Sequence, residues 1–456
     1  MLKLPLGLIS FLLLTHTWAQ SQPNIIVFMA DDLGYHDVGF QGSTHIKTPH
    51  LDKLATAGMR FTDGHVTACV CSPSRAGFIT GRYQQRFGHE GNCPRGTDGM
   101  DVNEVTIGQA LQKLGYKTCI IGKWHLGATE AQYPTNRGFD EFWGLREGSR
   151  TFWHDPKKTD KPGNPRAIEH NGKQVPFEGH LTDSKGDKAV EYIEANKDTP
   201  FFMFLSFTAP HGPLQSKKED MEALNLNDNY AGLVYGMDRN IGKVMNALDK
   251  HELTDNTMIW FLSDNGGTVR QASNHPLGGR KGSEFEGGTR VPFILNWKGH
   301  VPSGTYDPMV SALDIFPTCV VAAGGTTKFE RPLDGVDLVP YLNGQKKHSP
   351  HPQLYFRKLE CAAIRDGRWK MIRAGRAGYA LYNLNEDLAE RENLASQMPE
   401  KLEELKKKLK AWERDKMDPL WGEGSRWEKY RYFKHKGKFE TGKYPADTPK
   451  RKKGEK

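Results

Sequence analysis

Two acidic pairs stand where buried apolar runs of the chain end. Asp31-Asp32 follow the run 24–30, and Asp264-Asn265 follow the run 257–262 by way of Ser263. One such pair alone is an ordinary helix cap or turn. Both pairs on one sheet edge would gather three carboxylates and an amide oxygen, hard donors suited to Ca²⁺ or Mg²⁺. No His/Cys cluster has the spacing of a zinc site. Three carboxylates exceed a divalent charge by one, so cations are expected close by. A metal ringed by cations suits an anionic group that gains charge as it reacts.

The elements that must position these residues read as follows. The runs 24–30, 117–122, 201–207 and 257–262 are continuous, apolar and rich in β-branched and aromatic residues, as expected of strands buried on both faces. Helical patterns lie around 105–114 and over 230–248. Alternation of buried strands with helices implies a mostly parallel sheet sandwiched by helices, with ligands at the strands' C-terminal ends. Residues 146–182 are polar and form a surface insertion that shapes a cleft. Beyond about 350 the pattern changes. Short strands are expected at 353–357, 362–365 and 369–373, with Asp366-Gly367 as a hairpin turn, then a Lys/Glu/Leu-rich helix over 399–416. The expected fold class is therefore α/β, a large mostly parallel sheet with a smaller C-terminal α+β subdomain carrying a short antiparallel sheet. The expected division is a leader over 1–19, a catalytic domain over 20–345, the subdomain over 346–440 and a basic tail over 441–456.

The chain has 456 residues, 37% of them hydrophobic, and 63 Lys+Arg against 55 Asp+Glu give a formal charge of +8. This excludes wholesale disorder and fibrous repeats. The charge suits an anionic substrate, and with the basic tail it is all that favours nucleic acid, which is not expected as a partner. Lys3, the apolar run 4–14 and the small residues Thr17 and Ala19 form a secretory signal pattern too short to span a bilayer. The expectation is an exported protein, periplasmic or secreted, without a membrane anchor. Of six cysteines, Cys119 and Cys319 read as core, and a Cys69–Cys93 disulfide stays open.

Cys71 belongs to the stretch Cys71-Ser72-Pro73-Ser74-Arg75, which continues to Thr80-Gly81-Arg82. This resembles the signature of the formylglycine-dependent sulfatases, C-x-P-S-R followed by a stretch ending in T-G-R. The resemblance continues through Asp31-Asp32-Leu33-Gly34, Gly122-Lys123-Trp124-His125-Leu126-Gly127, His211 within Ala209-Pro210-His211-Gly212-Pro213, Ser263-Asp264-Asn265-Gly266-Gly267 and Lys281-Gly282-Ser283. It covers roughly residues 24–320. It implies an alkaline-phosphatase-like fold and a Cys71 oxidised to formylglycine by a formylglycine-generating or anaerobic maturase enzyme. It also implies one divalent metal, Ca²⁺ first and Mg²⁺ second, on Asp31, Asp32, residue 71, Asp264 and Asn265. One hydroxyl of the hydrated aldehyde would attack the sulfur of a sulfate ester, and the other would let the sulfate hemiacetal collapse. By the same resemblance Arg75 and Lys123 position formylglycine, His125 takes a proton during collapse, and His211 and Lys281 face the leaving oxygen, with His211 as general acid.

The substrate class expected is sulfated carbohydrate. Arg146, Trp153 and His154 of the insertion, with Trp143 before it, are the candidates to stack on a sugar and meet a second sulfate or carboxylate. His36 is another candidate contact, because it stands where many relatives have a small residue. Arg357 and the Trp-rich stretch 412–427 are candidates to close the cleft. The alternatives are a phosphonate monoester hydrolase or phosphodiesterase of the same superfamily and a catalytically idle carbohydrate-binding homologue.

Overall fold

The computed structural model describes residues 22–268 and 271–445. The expected leader, 1–19, and most of the expected tail lie outside the described residues.

Ten strands form the main sheet. Its centre is five parallel strands in the order Thr257–Ser263, Asn24–Ala30, Phe201–Ser206, Lys117–Lys123 and Glu141–Leu145. Phe293–Asn296 continues it antiparallel to Thr257–Ser263, and short strands finish both edges. The first strand shows why this sheet needs helices on both faces. Ile25, Val27 and Met29 enter one core, and Ile26, Phe28 and Ala30 enter the other, all with no exposure. The period of two along a strand gives that division, and two apolar faces require two covering layers. The helices Cys71–Thr80, Ile107–Gln112 and Ile315–Ala322 cover the first face. Leu181–Asn196 and Asn229–Lys250 cover the second.

The C-terminal part is a four-stranded antiparallel meander, Gln353–Lys358, Cys361–Asp366, Trp369–Ala374 and Tyr379–Asn383. Leu405 and Leu409 of the helix Pro399–Glu413 pack on Ala362, Ile364, Met371 and Leu381. The other face, with Leu354, Phe356, Ile372 and Tyr382, packs on Phe285 and Met309 of the main-sheet part. The fold class is thus the one expected, with two additions. The strand Tyr379–Asn383 and the helix Ser425–Thr441 carry no clear apolar period. The buried residues of that helix are Arg431, Lys434, His435 and Lys438, which meet carboxylates and carbonyls, with His435 also stacked on Phe285. A helix whose buried side is cationic shows no stripe of apolar residues.

All six cysteines are thiols. Cys69 lies 3.6 Å from Glu284 and Cys93 lies 3.1 Å from Ser72 Oγ, so the Cys69–Cys93 pairing left open by the sequence is not formed. Among the described residues no helix is long and apolar enough to cross a membrane.

Candidate active site

The acids arrive on adjacent strands. Asn24–Ala30 and Thr257–Ser263 pair in register, with Ala30 opposite Ser263, so the residues that follow emerge side by side. The Asp32 amide donates to Asp264 Oδ1 at 3.2 Å, and the Asp31 amide donates to the carbonyl of Ala209 at 3.0 Å. Asp32 takes φ 68°, a left-handed conformation that costs a non-glycine residue about a kcal/mol or more. That turn swings the second carboxylate back over the sheet edge. Asp31, Asp32, Asp264 and Asn265 are all buried.

Cys71 opens the helix Cys71–Thr80, in which every residue is buried. Its Sγ lies 3.5 Å from Asp31 Oδ1 and 3.8 Å from Asp32 Oδ1, and Lys281 Nζ donates to it at 3.0 Å. Burial, with Asp264 next, pushes the thiol up to about 12. An unmodified Cys71 is therefore no thiolate nucleophile at neutral pH.

Each carboxylate has its own cation. Lys123 Nζ meets Asp31 at 2.9 and 2.8 Å and lies 3.9 Å from Asp264. Arg75 Nε donates to Asp264 Oδ2 at 2.9 Å, while its Nη1 reaches Ser206 Oγ at 2.6 Å and the Lys123 carbonyl at 3.1 Å. Lys281 pairs with Asp32, and His211 Nε2 stands 3.6 Å from Asp32 Oδ2. Burial alone would raise Asp32 and Asp264, but Lys281 and His211 hold Asp32 below the usual carboxylate range. Arg75 and Lys123 do the same for Asp264. Lys281 is held well above its ordinary value: burial opposes its charge, and Asp32, Cys71 and Asp31 outweigh burial. His125 has the opposite fate. Burial, then Lys123, Arg75 and Lys281, drive it well below its ordinary value, so it is a neutral imidazole with a buried, unpartnered Nδ1.

Backbone approach completes the arrangement. At Gly122 (φ 120°) an added Cβ would sit 1.8 Å from the Ser206 carbonyl oxygen, so no side chain fits between these strands before Lys123. At Gly148 an added Cβ would sit 2.5 Å from His125 Cε1.

The donor set fits a hard divalent cation. Asp31, Asp32, Cys71 and His211 each offer an atom within 4.8 Å of the others, and Asn265 Oδ1 is buried with no hydrogen-bond partner. A buried amide oxygen without a donor costs on the order of 1–3 kcal/mol, which a cation would recover. The Lys281 ammonium, lodged between Asp32 and Cys71, marks the charge that the acids require.

The sulfatase family model matches residues 23–325, which span the acids, Cys71, both lysines and both histidines. This chain belongs to the sulfatase family. It is a sulfuric ester hydrolase by that membership. The uncharacterised sulfatase YdeN of Escherichia coli is 32% identical over 74% of this chain and 68% of its own. Human steryl-sulfatase is 30% identical over 78% of this chain and 75% of its own. The crystal structure of Ps i-CgsB superposes with a TM-score of 0.84 at 36% identity, covering 91% of this sulfatase and 97% of that chain, and it has also been solved in complex with k-i-k-neocarrahexaose.

The structure gathers Asp31, Asp32, Cys71, Arg75, Lys123, His125, His211, Asp264, Asn265 and Lys281 at one edge of the sheet. The side chains of the four candidate substrate contacts engage partners outside this set. His36 Nδ1 bonds the Gln41 carbonyl at 2.9 Å, and its ring meets His275. Arg146 is spent on Glu169 at 3.0 Å and on the Ala128 carbonyl. Trp153 is 42% exposed with an edge on His180, and the His154 ring rests on Phe177. Trp143 is 3% exposed in the core, so it cannot stack on a sugar. Arg357 is paired with Glu90, which ties the C-terminal sheet to the main-sheet part, and Trp412 stacks on Tyr355 at 4.9 Å within the C-terminal part. Sequence reasoning missed Ser206, which accepts from Arg75 and donates to the Lys123 carbonyl at 2.7 Å, and Lys185 beneath it. A serine ending an otherwise apolar run was the available signal.

Proposed function

We propose that this sulfatase hydrolyses sulfate esters of a sulfated carbohydrate, with residue 71 acting as formylglycine after maturation of Cys71 by a formylglycine-generating enzyme. The observation that carries the reading is Cys71 Sγ, set among Asp31, Asp32 and Lys281 within 3.8 Å, at the start of a fully buried helix. Asp31, Asp32, Asp264 and Asn265 would hold one divalent cation, Ca²⁺ by preference. The cation supplies positive charge that acidifies a hydroxyl and clamps sulfate oxygens. Formylglycine supplies, as its hydrate, a nucleophilic hydroxyl and a second one for release of sulfate.

The side chains divide the remaining work. Arg75 and Lys123 are anchored by Asp264 and Asp31 and keep residue 71 and the acids in place. His125, kept neutral, is fit to accept a proton from the second hydroxyl. His211, 25% exposed, and Lys281 stand on the open side, where the leaving oxygen departs. His211 gives it a proton, and Lys281 offsets charge on the sulfate. A binding module needs no such set, which argues against an idle homologue. Support for a carbohydrate comes from Ps i-CgsB, whose complex holds a neocarrahexaose. The leader pattern over 1–19 places the enzyme outside the cytoplasm in this reading.

The test is inorganic sulfate release from a panel of sulfated oligosaccharides by protein co-expressed with a maturase. A Cys71→Ala control, a chelator arm with Ca²⁺ or Mg²⁺ add-back, and matched phosphate and phosphonate esters complete it. Release that vanishes in the control and with chelator, and returns with metal, is expected. Turnover of phosphonates without sulfate release would overturn the reading.

A further inference from the structure

The insertion after the strand Glu141–Leu145 carries a cavity of about 370 Å³ that the catalytic set does not use. Arg95, Arg150, Lys158 and Arg166 line it, with Ser149 and Pro213 among its other walls. Pro213 is two residues from His211, which puts it within about 7 Å along the chain. Ser149 follows Gly148, whose backbone abuts the His125 ring. Two of the cavity's lining residues are therefore close in the chain to residues of the active site's open side.

Its cations are of two kinds. Arg150 is buried and fully engaged: its guanidinium grips Asp160 at 2.9 and 2.7 Å and bonds the Arg166 carbonyl at 3.2 Å. Asn164 bonds the Lys158 carbonyl at 2.9 Å and accepts from the Arg166 amide at 3.0 Å. Glu147 accepts from the Gly96 amide at 2.9 Å, which ties the Arg95 loop to the insertion. This frame fixes the backbone from which the second kind projects. Arg95, Lys158 and Arg166 have no ion-pair partner among the described residues, and Arg166 Nε is buried without a hydrogen-bond partner. Burial and the nearby charge of Arg95 pull the Arg166 guanidinium below its ordinary value, with Glu147 offsetting only part. Arg95 and Lys158 are exposed and Arg166 is half-buried, and no carboxylate is among the residues lining the hollow they share. An anion entering the hollow would meet three cations without a competing carboxylate, and guanidinium forks match planar or tetrahedral oxyanions two oxygens at a time.

We infer that the cavity lined by Arg95, Lys158 and Arg166 is a second oxyanion subsite, which binds a sulfate or carboxylate on a sugar neighbouring the one whose ester is cleaved. The inference rests on the sulfatase reading and sharpens it: the substrate is a polyanionic oligosaccharide, and its charge density is read beside the catalytic centre.

The test compares wild type with Arg95→Gln, Arg166→Gln and the charge-keeping Arg166→Lys. The substrates are a small aryl sulfate, a singly sulfated oligosaccharide, a singly sulfated oligosaccharide bearing a uronate, and multiply sulfated carrageenan and glycosaminoglycan hexasaccharides. For multiply charged substrates, KM is expected to rise roughly tenfold or more per guanidinium removed, with kcat held. Arg166→Lys should recover part of the loss, and aryl sulfate turnover should not change. Equal KM values across all proteins, or a parallel loss on the aryl sulfate, would overturn the subsite. Binding of the same hexasaccharides to Cys71→Ala protein, with and without Arg166→Gln, is measured by calorimetry. Charge-dependent binding with no sulfate release in any assay would sink the sulfatase reading alone; charge-independent binding would sink the subsite alone. Response to the uronate arm, against the extra-sulfate arm, tells carboxylate from sulfate.

Discussion

Arg75 is where three separate requirements meet in one side chain. Its guanidinium neutralises Asp264, holds Ser206 Oγ and caps the Lys123 carbonyl, all without exposure. A lysine can satisfy one of these contacts but not the planar fork. Arg75→Lys is therefore expected to lower kcat by roughly 10²–10³-fold, comparable to losing an electrostatic donor at a reacting centre. Arg75→Met leaves Asp264 buried and short of a cation and should cost about 3–5 kcal/mol in chemical denaturation. Near-wild-type turnover in Arg75→Lys would show that charge alone matters there. The residue types at this centre were legible in the sequence because acids at strand ends and the Cys71-to-Arg82 stretch are local patterns. The partners of the insertion's side chains were not. Whether Arg146 faces a cleft or Glu169 depends on a partner 23 residues away, which local pattern does not record.

At the scale of elements, the helix Cys71–Thr80 depends on what lies behind its first turn. Ser72 Oγ donates to the His125 carbonyl at 2.7 Å and lies 2.7 Å from His89 Nε2. Burial drives His89 down to about 3, so it stays neutral in the folded protein where an unfolded chain would protonate it near 6.5. Between these values the unfolded state binds the extra proton, so stability falls as pH drops from about 6.5 towards 3, by up to ~1.4 kcal/mol per unit from this group. Above 6.5 the group contributes no slope. His89→Gln should flatten the acid limb of a stability-versus-pH curve while leaving the neutral region's slope unchanged; an unchanged acid limb would remove His89 from the account. The main strands and the long helices were readable from period and composition, since burial on both faces leaves a continuous apolar run. The helix Ser425–Thr441 was not, because Lys434 and His435 are buried through polar contacts supplied by other parts of the chain.

At the scale of the molecule, the catalytic part and the C-terminal sheet are joined by charge as well as by apolar packing. Glu286 follows the Lys281 loop and is wholly buried. It receives Arg365 at 2.6 Å and Lys370 at 2.8 Å, both from the C-terminal sheet, while its amide donates to Glu390 at 2.8 Å. Burial alone would raise its carboxyl, but Arg365 and Lys370 hold it well below the usual range. One carboxylate thus serves two cations from the other part. Glu286→Gln leaves Arg365 to Asp63 at 3.0 Å and Lys370 to Glu390 at 3.3 Å, one carboxylate fewer for each buried cation, which should cost about 3–5 kcal/mol. Lys370→Met alone should cost a comparable amount, because Glu286 and Glu390 then face each other with less compensation. The double variant should lose less than the sum of the two, because residues sharing one network do not add. Denaturant unfolding of the four proteins gives that coupling directly. A coupling near zero would mean that the shared core of Phe285, Met309, Leu354 and Phe356 holds the two parts together by itself. A large coupling would mean that the loop bearing Lys281 is braced from the C-terminal sheet. Aryl sulfate turnover should then fall in Glu286→Gln even where the protein remains folded, because Lys281 would lose its fixed approach to Asp32.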